Sequence, residues 1–246
     1  MREQLYRIMK YNHFIVLLLS LFMRNTASGQ QKSDSIILIG AMRNVMWKGE
    51  LSGKIALDTI SNKKNLYGLG PVEFLRGEII ILDGKPYLST VLSDSSMQVR
   101  ETYYIKAPFF GYAHIPSWKA SALPDSIQSI PQLEHYLDNL TQTISRPFFF
   151  RLEGIVETAI IHIVNLPDGS TVRSPAEAHV GQVNYPLRNE QAVILGFFST
   201  EHKTIFTHHD SFLHMHLISS DKKKMGHLDS VTFKKGSIKL YLPNQN

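Results

Sequence analysis

The amino-acid sequence predicts an α+β protein with two sheet-based halves and few helices. Short runs of β-branched and aromatic residues recur along the chain with turn residues between them, which is typical of strands. From Pro131 to Ile144, by contrast, apolar residues recur every three or four positions, which predicts a helix. A Pro- and Ser-rich segment precedes this helix, so we divide the chain into an N-terminal half, residues 30–130, and a C-terminal half, residues 131–246.

Residues 1–29 have the features of a secretory signal peptide. A basic start leads into a short apolar run over residues 14–23, and small residues follow at Ala27 and Gly29. A membrane anchor is the alternative, but the apolar run is much shorter than the roughly 20 residues that cross a bilayer. We therefore expect cleavage before Gln30, a secreted or periplasmic protein, and no membrane association after cleavage.

The charge of the chain gives little support to nucleic-acid binding. Residues 1–29 contain four basic residues and one acidic residue, so +3 of the formal net charge of +5 belongs to the leader and +2 remains. The one later basic run, Lys222 to Lys224, is expected at a solvated hairpin tip. The sequence has no cysteine, so any metal must be held by His, Asp or Glu.

Several strands and turns can be placed from the pattern alone. A tight hairpin is expected where Asp83 and Gly84 join two apolar runs, because both turn positions must tolerate positive φ. The glycine-rich segment just before it, residues 66–71, is expected to be a loop on composition. Further strands are expected at residues 36–40, 148–155, 159–164, 193–198, 212–218 and 228–233.

Three histidines near the C-terminus predict a metal site. On a strand, His214 and His216 point to the same face. A hairpin through the polar segment that follows would bring His227 back beside His216. Three imidazoles that leave one position open are typical of a catalytic zinc site, whereas the alternative is a set of half-exposed histidines without a metal. His208 and His209 are expected to be loop residues and not ligands.

The same residues are part of a wider resemblance to the alpha-acetolactate decarboxylase family. The segment from His214 to His227 resembles the metal-binding signature of that family, with the same spacing between the three histidines. Other segments resemble the family in the same order along the chain, at residues 67–70, 75–78, 82–87 and 150–154.

The resemblance implies a two-part fold with mixed β-sheets and with Zn²⁺, or another divalent metal, in the second half. It also implies decarboxylation of 2-acetolactate to acetoin and carbon dioxide, and a homodimer. A metal suits this reaction because a Lewis acid stabilises the electron pair that departing carbon dioxide leaves behind. The proton then comes from a carboxylic acid, and Glu78 matches the family's glutamate at the start of an apolar strand. Glu73 is a weaker candidate.

Two departures from the family affect the expected activity. His162 stands where the family has an arginine, and we expect it to contact the substrate carboxylate or to donate a proton. Arg146, Arg151 and Arg173 are candidates to replace the lost guanidinium. The family also supplies a glutamate beyond a Leu-x-Leu-Pro segment, and we expect that carboxylate to be absent here.

These departures leave two alternatives to an active acetolactate decarboxylase. One is a divergent zinc lyase or hydrolase that acts on another small 2-hydroxy-3-oxo acid. The other is a metal-binding homologue that has lost turnover.

Overall fold

Strands account for most of the chain in the computed structural model, which describes residues 36–207 and 209–244. In chain order the strands are β1 (Ile37–Ile39), β2 (Ile55–Ala56), β3 (Leu66–Pro71), β4 (Glu78–Leu82), β5 (Lys85–Ser93), β6 (Ser96–Glu101), β7 (Lys106–Ala107), β8 (Phe110–His114), β9 (Trp118–Ala122), β10 (Phe148–Ile163), β11 (Val183–Phe198), β12 (Leu213–Ser219), β13 (Met225–Phe233) and β14 (Lys239–Pro243). The α-helices are α1 (Met42–Lys48), α2 (Ile130–Leu140) and α3 (Pro175–Ala178).

Two six-stranded sheets contain all of these strands except β2 and β7, which pair with each other. The first has the order β1-β8-β3-β4-β5-β6, and the second has the order β11-β12-β13-β10-β14-β9, with β10 and β11 also paired. The α+β class is therefore confirmed, whereas the expectation of mixed sheets is wrong. All pairs described within these two sheets are antiparallel. Four of these pairs are joined by connections too short for the crossover that a parallel pair requires, namely β3-β4, β4-β5, β5-β6 and β12-β13. The first sheet lies within residues 37–114 and the second within residues 118–243; the division near residue 130 stays a prediction.

The predicted hairpin at Asp83 and Gly84 is confirmed. Leu82 pairs with Lys85, and the two turn residues have φ of 49° and 77°. Both values lie in the left-handed region that a tight turn of this kind requires. The hairpin fixes the register of β4, the strand that begins with Glu78.

The expected loop at residues 66–71 is wrong, because this segment is the buried strand β3. Its glycines reflect close packing and not a turn. A Cβ atom on Gly68 would lie 2.8 Å from the ring of Phe110, so only glycine leaves room for that ring against the strand. Composition alone does not separate this cause from a loop.

Two further expectations need correction. The predicted helix forms as α2 but ends at Leu140, before Ile144. The two strands expected at 148–155 and 159–164 are one strand, β10. Its pairing with β13 shifts register between Val156 and Thr158, so the exposed Glu157 is an extra, bulged residue that interrupts the apolar pattern.

The faces of the two sheets share a hydrophobic core. Leu69 and Ile80 of the first sheet belong to the same buried cluster as Phe197 and Ile218 of the second. A separate cluster lies on the other face of the second sheet, where α2 contributes Leu133 and Leu137. Within the described ranges, no helix has the length and apolar character needed to span a membrane.

Candidate metal centre

The structure brings the three C-terminal histidines together between the sheets. His214 and His216 lie on β12, and His227 on β13 pairs directly with His216. All three side chains are buried, and one ligand nitrogen of each lies within 4.8 Å of the others. The hairpin that follows β12 thus places His227 where the sequence spacing predicts.

Backbone carbonyl groups orient two of these rings. The Nδ1 atom of His214 lies 2.8 Å from the carbonyl oxygen of Phe206, and Nδ1 of His216 lies 2.9 Å from that of Ile79. A carbonyl oxygen only accepts a hydrogen bond, so both Nδ1 atoms carry the proton and donate it. The lone pair of each ring is therefore on Nε2, which is the arrangement that a metal-binding histidine needs.

The residues fit a divalent metal. Burial lowers the pKa of His216 from 6.5 to about 3, so this ring is neutral and able to bind a cation at physiological pH. Its Nε2 atom is buried and makes no hydrogen bond within the described part of the chain. A buried polar atom without a partner is costly, and a metal ion would satisfy it. Three neutral imidazoles are also a donor set that zinc prefers.

Glu78 approaches the histidines from the first sheet. Its side chain is 3% exposed, and its Oε2 atom lies 3.5 Å from Nε2 of His216. Its Oε1 atom accepts a hydrogen bond of 3.4 Å from the backbone N–H of Val164. Burial raises the pKa of the Glu78 carboxyl well above its ordinary value; the bond from Val164 opposes this rise, and the negative charge of Asp229 adds to it.

His162 lies beside the three histidines and pairs with Asp229. It is opposite His227 in the pairing of β10 with β13, and the centres of the two rings are 4.7 Å apart. Its Nδ1 atom lies 2.7 Å and 2.9 Å from the two carboxylate oxygens of Asp229. Sequence reasoning placed His162 in the site but missed Asp229, because its approach depends on the local path of β13.

A small cavity of about 30 Å³ separates these side chains. Its lining includes Glu78, His162, His214 and His227, together with residues that the sequence did not indicate, which are Met42, Met46, Pro71, Leu75, Phe109, Val164 and His179. The methionines belong to α1, so this short helix covers the site.

The other candidate residues lie away from the cavity. Arg146 forms an ion pair of 2.7 Å with Asp138, and Arg151 packs against the ring of Tyr241. Neither of these arginines, nor Arg173, lines the cavity. Glu73 accepts a hydrogen bond from the backbone of Gly53. None of these three arginines therefore supplies a guanidinium to the cavity in place of the one that His162 replaces.

The remaining predictions concern two loop histidines and the two ends of the sequence. His209 is exposed, as expected of a loop residue, whereas His208 lies outside the described residues. The predicted leader, residues 1–29, also lies outside them. The predicted absence of a C-terminal glutamate from the site stays a prediction.

Comparison with known proteins identifies related sequences and folds. The sequence profile of the family described as alpha-acetolactate decarboxylase matches residues 39–245. A search of curated proteins finds no match.

Three solved structures share the fold. Acetolactate decarboxylase from Bacillus subtilis subspecies spizizenii has a TM-score of 0.68 at 19% identity, and the match covers 86% of each chain. Alpha-acetolactate decarboxylase from Bacillus subtilis strain 168 has a TM-score of 0.68 at 20% identity over the same shares. A Staphylococcus aureus protein of unknown function, similar to alpha-acetolactate decarboxylase, has a TM-score of 0.69 at 18% identity, again over 86% of each chain.

Proposed function

Because the chain belongs to the alpha-acetolactate decarboxylase family, we propose that it converts 2-acetolactate to acetoin and carbon dioxide. In this proposal His214, His216 and His227 hold a divalent metal, with zinc as the preferred ion. The observation that carries the proposal is the buried carboxyl group of Glu78, which lies 3.5 Å from the metal-facing nitrogen of His216. Glu78 is thus close enough to deliver a proton to a small molecule bound at these histidines.

The reaction requires one proton in each turnover. When the carboxylate leaves as carbon dioxide, its bonding electron pair stays on the substrate carbon, and that carbon must be protonated. The three imidazoles would hold a divalent ion, which would supply Lewis-acid stabilisation of the negative charge that forms. Glu78 supplies the proton, because burial raises the pKa of its carboxyl and keeps it protonated to higher pH. The N–H of Val164 holds its other oxygen in place.

A second candidate function rests on the pair formed by His162 and Asp229. His162, which Asp229 holds by its Nδ1 atom, lines the cavity at the position where the family's arginine would clamp a carboxylate with two parallel hydrogen bonds. A changed pocket of this kind favours another small 2-hydroxy-3-oxo acid as the substrate, handled by the same metal and the same Glu78. A metal-binding protein without turnover would need neither Glu78 nor His162 in the cavity.

Metal analysis and an acetoin assay on one preparation test these proposals. The purified protein is loaded with zinc, its metal content is measured, and acetoin release from racemic 2-acetolactate is followed beside His162→Arg. We expect about one zinc per chain and acetoin release from the wild type. Stoichiometric zinc without acetoin in either protein would reject 2-acetolactate as the substrate. Release from a longer 2-hydroxy-3-oxo acid alone would favour the second candidate.

We also propose that the protein is exported after cleavage of residues 1–29 and that it acts as a homodimer. The composition of the leader supports the first proposal, and the family resemblance supports the second. Sequencing the N-terminus of the protein recovered from the medium or periplasm tests export, with Gln30 as the expected first residue. Light scattering of the purified protein tests the dimer.

A further inference from the structure

We propose that Asp229 is a positioning residue, which holds His162 so that its Nε2 atom accepts a hydrogen bond from a hydroxyl group of the bound acid. The inference rests on the proposed function, because it assigns the substrate to the same cavity. It goes further in naming the residue that recognises the substrate hydroxyl, His162, and the residue that holds it in place, Asp229.

A β-bulge brings Asp229 to His162. On β10 and β13, Ile161 pairs with Leu228 but Ile160 pairs with Ser230, so Asp229 is an extra residue without a partner in the ladder. A bulge bends the strand locally and turns the side chain of the extra residue away from its regular direction. The carboxylate of Asp229 consequently reaches the ring of the residue that neighbours Ile161, His162.

The geometry of this pair decides which ring nitrogen carries the proton. Both carboxylate oxygens of Asp229 lie within 2.9 Å of Nδ1 of His162. A carboxylate only accepts hydrogen bonds, so Nδ1 carries the proton, and in this tautomer the lone pair of the ring is on Nε2. Among the described residues, Nε2 has no hydrogen-bonding partner, and the ring lines the cavity.

Neighbouring rings hold His162 in this orientation. Its side chain is 7% exposed, its ring packs at 31° against His227, and the edge of His179 lies against it at 6.0 Å between ring centres. A ring that is packed on its neighbours and hydrogen-bonded at one nitrogen has little freedom to turn. Nε2 is therefore a fixed acceptor in the wall of the cavity.

A fixed acceptor selects for a donor on the ligand. A substrate hydroxyl donates to the lone pair of Nε2, whereas a substrate carboxylate would meet that lone pair and the negative charge of Asp229 behind it. A site with a buried hydrogen-bonding group discriminates strongly against an analogue that lacks the matching group. The cavity should therefore prefer 2-hydroxy acids over acids of the same shape that have a methyl group in place of the hydroxyl.

Two acids of nearly equal shape test this preference in the zinc-loaded protein. Calorimetry measures the Kd of 2-hydroxy-2-methylpropanoate and of 2,2-dimethylpropanoate for the wild type, Asp229→Asn and Asp229→Glu. We expect Asp229→Asn to weaken binding of the hydroxy acid roughly tenfold and to leave the dimethyl acid unchanged, with partial recovery in Asp229→Glu. Asp210→Asn should change neither affinity, although Asp210 and Asp229 both line a cleft beside the cavity.

The ¹⁵N chemical shifts of the His162 ring give a second readout that needs no ligand or turnover. We expect the Nδ1–H form in the wild type and a mixture of the two neutral forms in Asp229→Asn. Equal weakening of both acids, or no change in either, would overturn the proposal. A His162 ring protonated at Nε2 in the wild type would also overturn the proposal. This measurement tests the proposal even if the variant does not fold. Hydroxyl selectivity without acetoin release would reject the proposed function and leave this inference standing.

Discussion

The two sheets contribute to the site in different ways. The second sheet supplies the three candidate metal ligands from β12 and β13, and His162 from the neighbouring β10. The positions of these histidines therefore follow from the register of the three strands. The first sheet supplies a carboxyl group and a backbone carbonyl from the start of β4, at Glu78 and Ile79. The proposed metal binding thus depends on strand pairing, whereas the proposed proton delivery depends on how the sheets pack.

The largest expected effect comes from removing the metal-binding histidines of the second sheet. The double variant His214→Ala, His216→Ala removes two of the three imidazoles, and we expect bound zinc to fall from about one ion per chain to nearly none. Elemental analysis after gel filtration measures this. His135→Ala, which changes an exposed histidine on α2, is the matched control and should keep its zinc. Full zinc content in the double variant would show that the ion binds elsewhere.

Changing Glu78 tests the first sheet alone. Glu78→Gln keeps the shape of the side chain but removes its acidic proton, so we expect kcat for acetoin release to fall by about 10²- to 10⁴-fold while zinc content stays the same. Steady-state kinetics and metal analysis of one sample check both points. Glu73→Gln, five residues earlier and outside the cavity, should keep nearly full activity. A Glu78→Gln protein with normal kcat would remove Glu78 from the reaction.

A smaller effect is expected from shifting one strand of the second sheet. A Cβ atom on Gly226 would lie 2.5 Å from the carbonyl oxygen of His162, which is too close for β13 to keep its place. We expect Gly226→Ala to lower the free energy of unfolding by about 1–3 kcal/mol and to weaken zinc binding through the displacement of His227. Urea denaturation and zinc titration measure the two effects. Gly169→Ala, at a positive φ with no atom within 4 Å, should lose stability without losing zinc affinity.

The smallest expected effect is a pH dependence of stability caused by Glu78. The unfolded chain loses this proton near the ordinary pKa of 4.5, but the folded protein keeps it to higher pH, because burial raises the pKa. Stability therefore falls as the pH rises from 4.5 to the folded pKa, by at most about 1.4 kcal/mol per pH unit. In metal-free protein, Glu78→Gln should gain stability relative to the wild type over this range. A constant difference between the two would contradict the raised pKa.

The part of the site that lies within one hairpin could be predicted from sequence. Alternation along β12 places His214 and His216 on one face, and the return of the chain brings back His227. Asp229 could not be found in this way, because its side chain reaches His162 only through a bulge that moves it out of alternation. Met42 and Met46 line the cavity because α1 packs against segments that are distant in the sequence. The sequence of a short apolar helix does not indicate which distant segments it contacts.

The same distinction applies to the fold. The hairpin at Asp83 and Gly84 was predictable because its turn chemistry is local. Strand β3 was missed because Gly68 is required by the ring of Phe110, which lies more than forty positions away in the sequence. Long-range packing thus explains both the missed strand and the missed parts of the site.

If a metal binds to the three histidines as proposed, the bond from Nδ1 of His216 to the carbonyl oxygen of Ile79 links metal binding to the packing of the two sheets. An ion that binds only when the ring is held in place stabilises the docked state, by about 2.7 kcal/mol at a free concentration one hundred times Kd. A chelator would therefore act on more than the histidines. It would increase amide hydrogen exchange along β4, a strand that provides none of the three imidazoles.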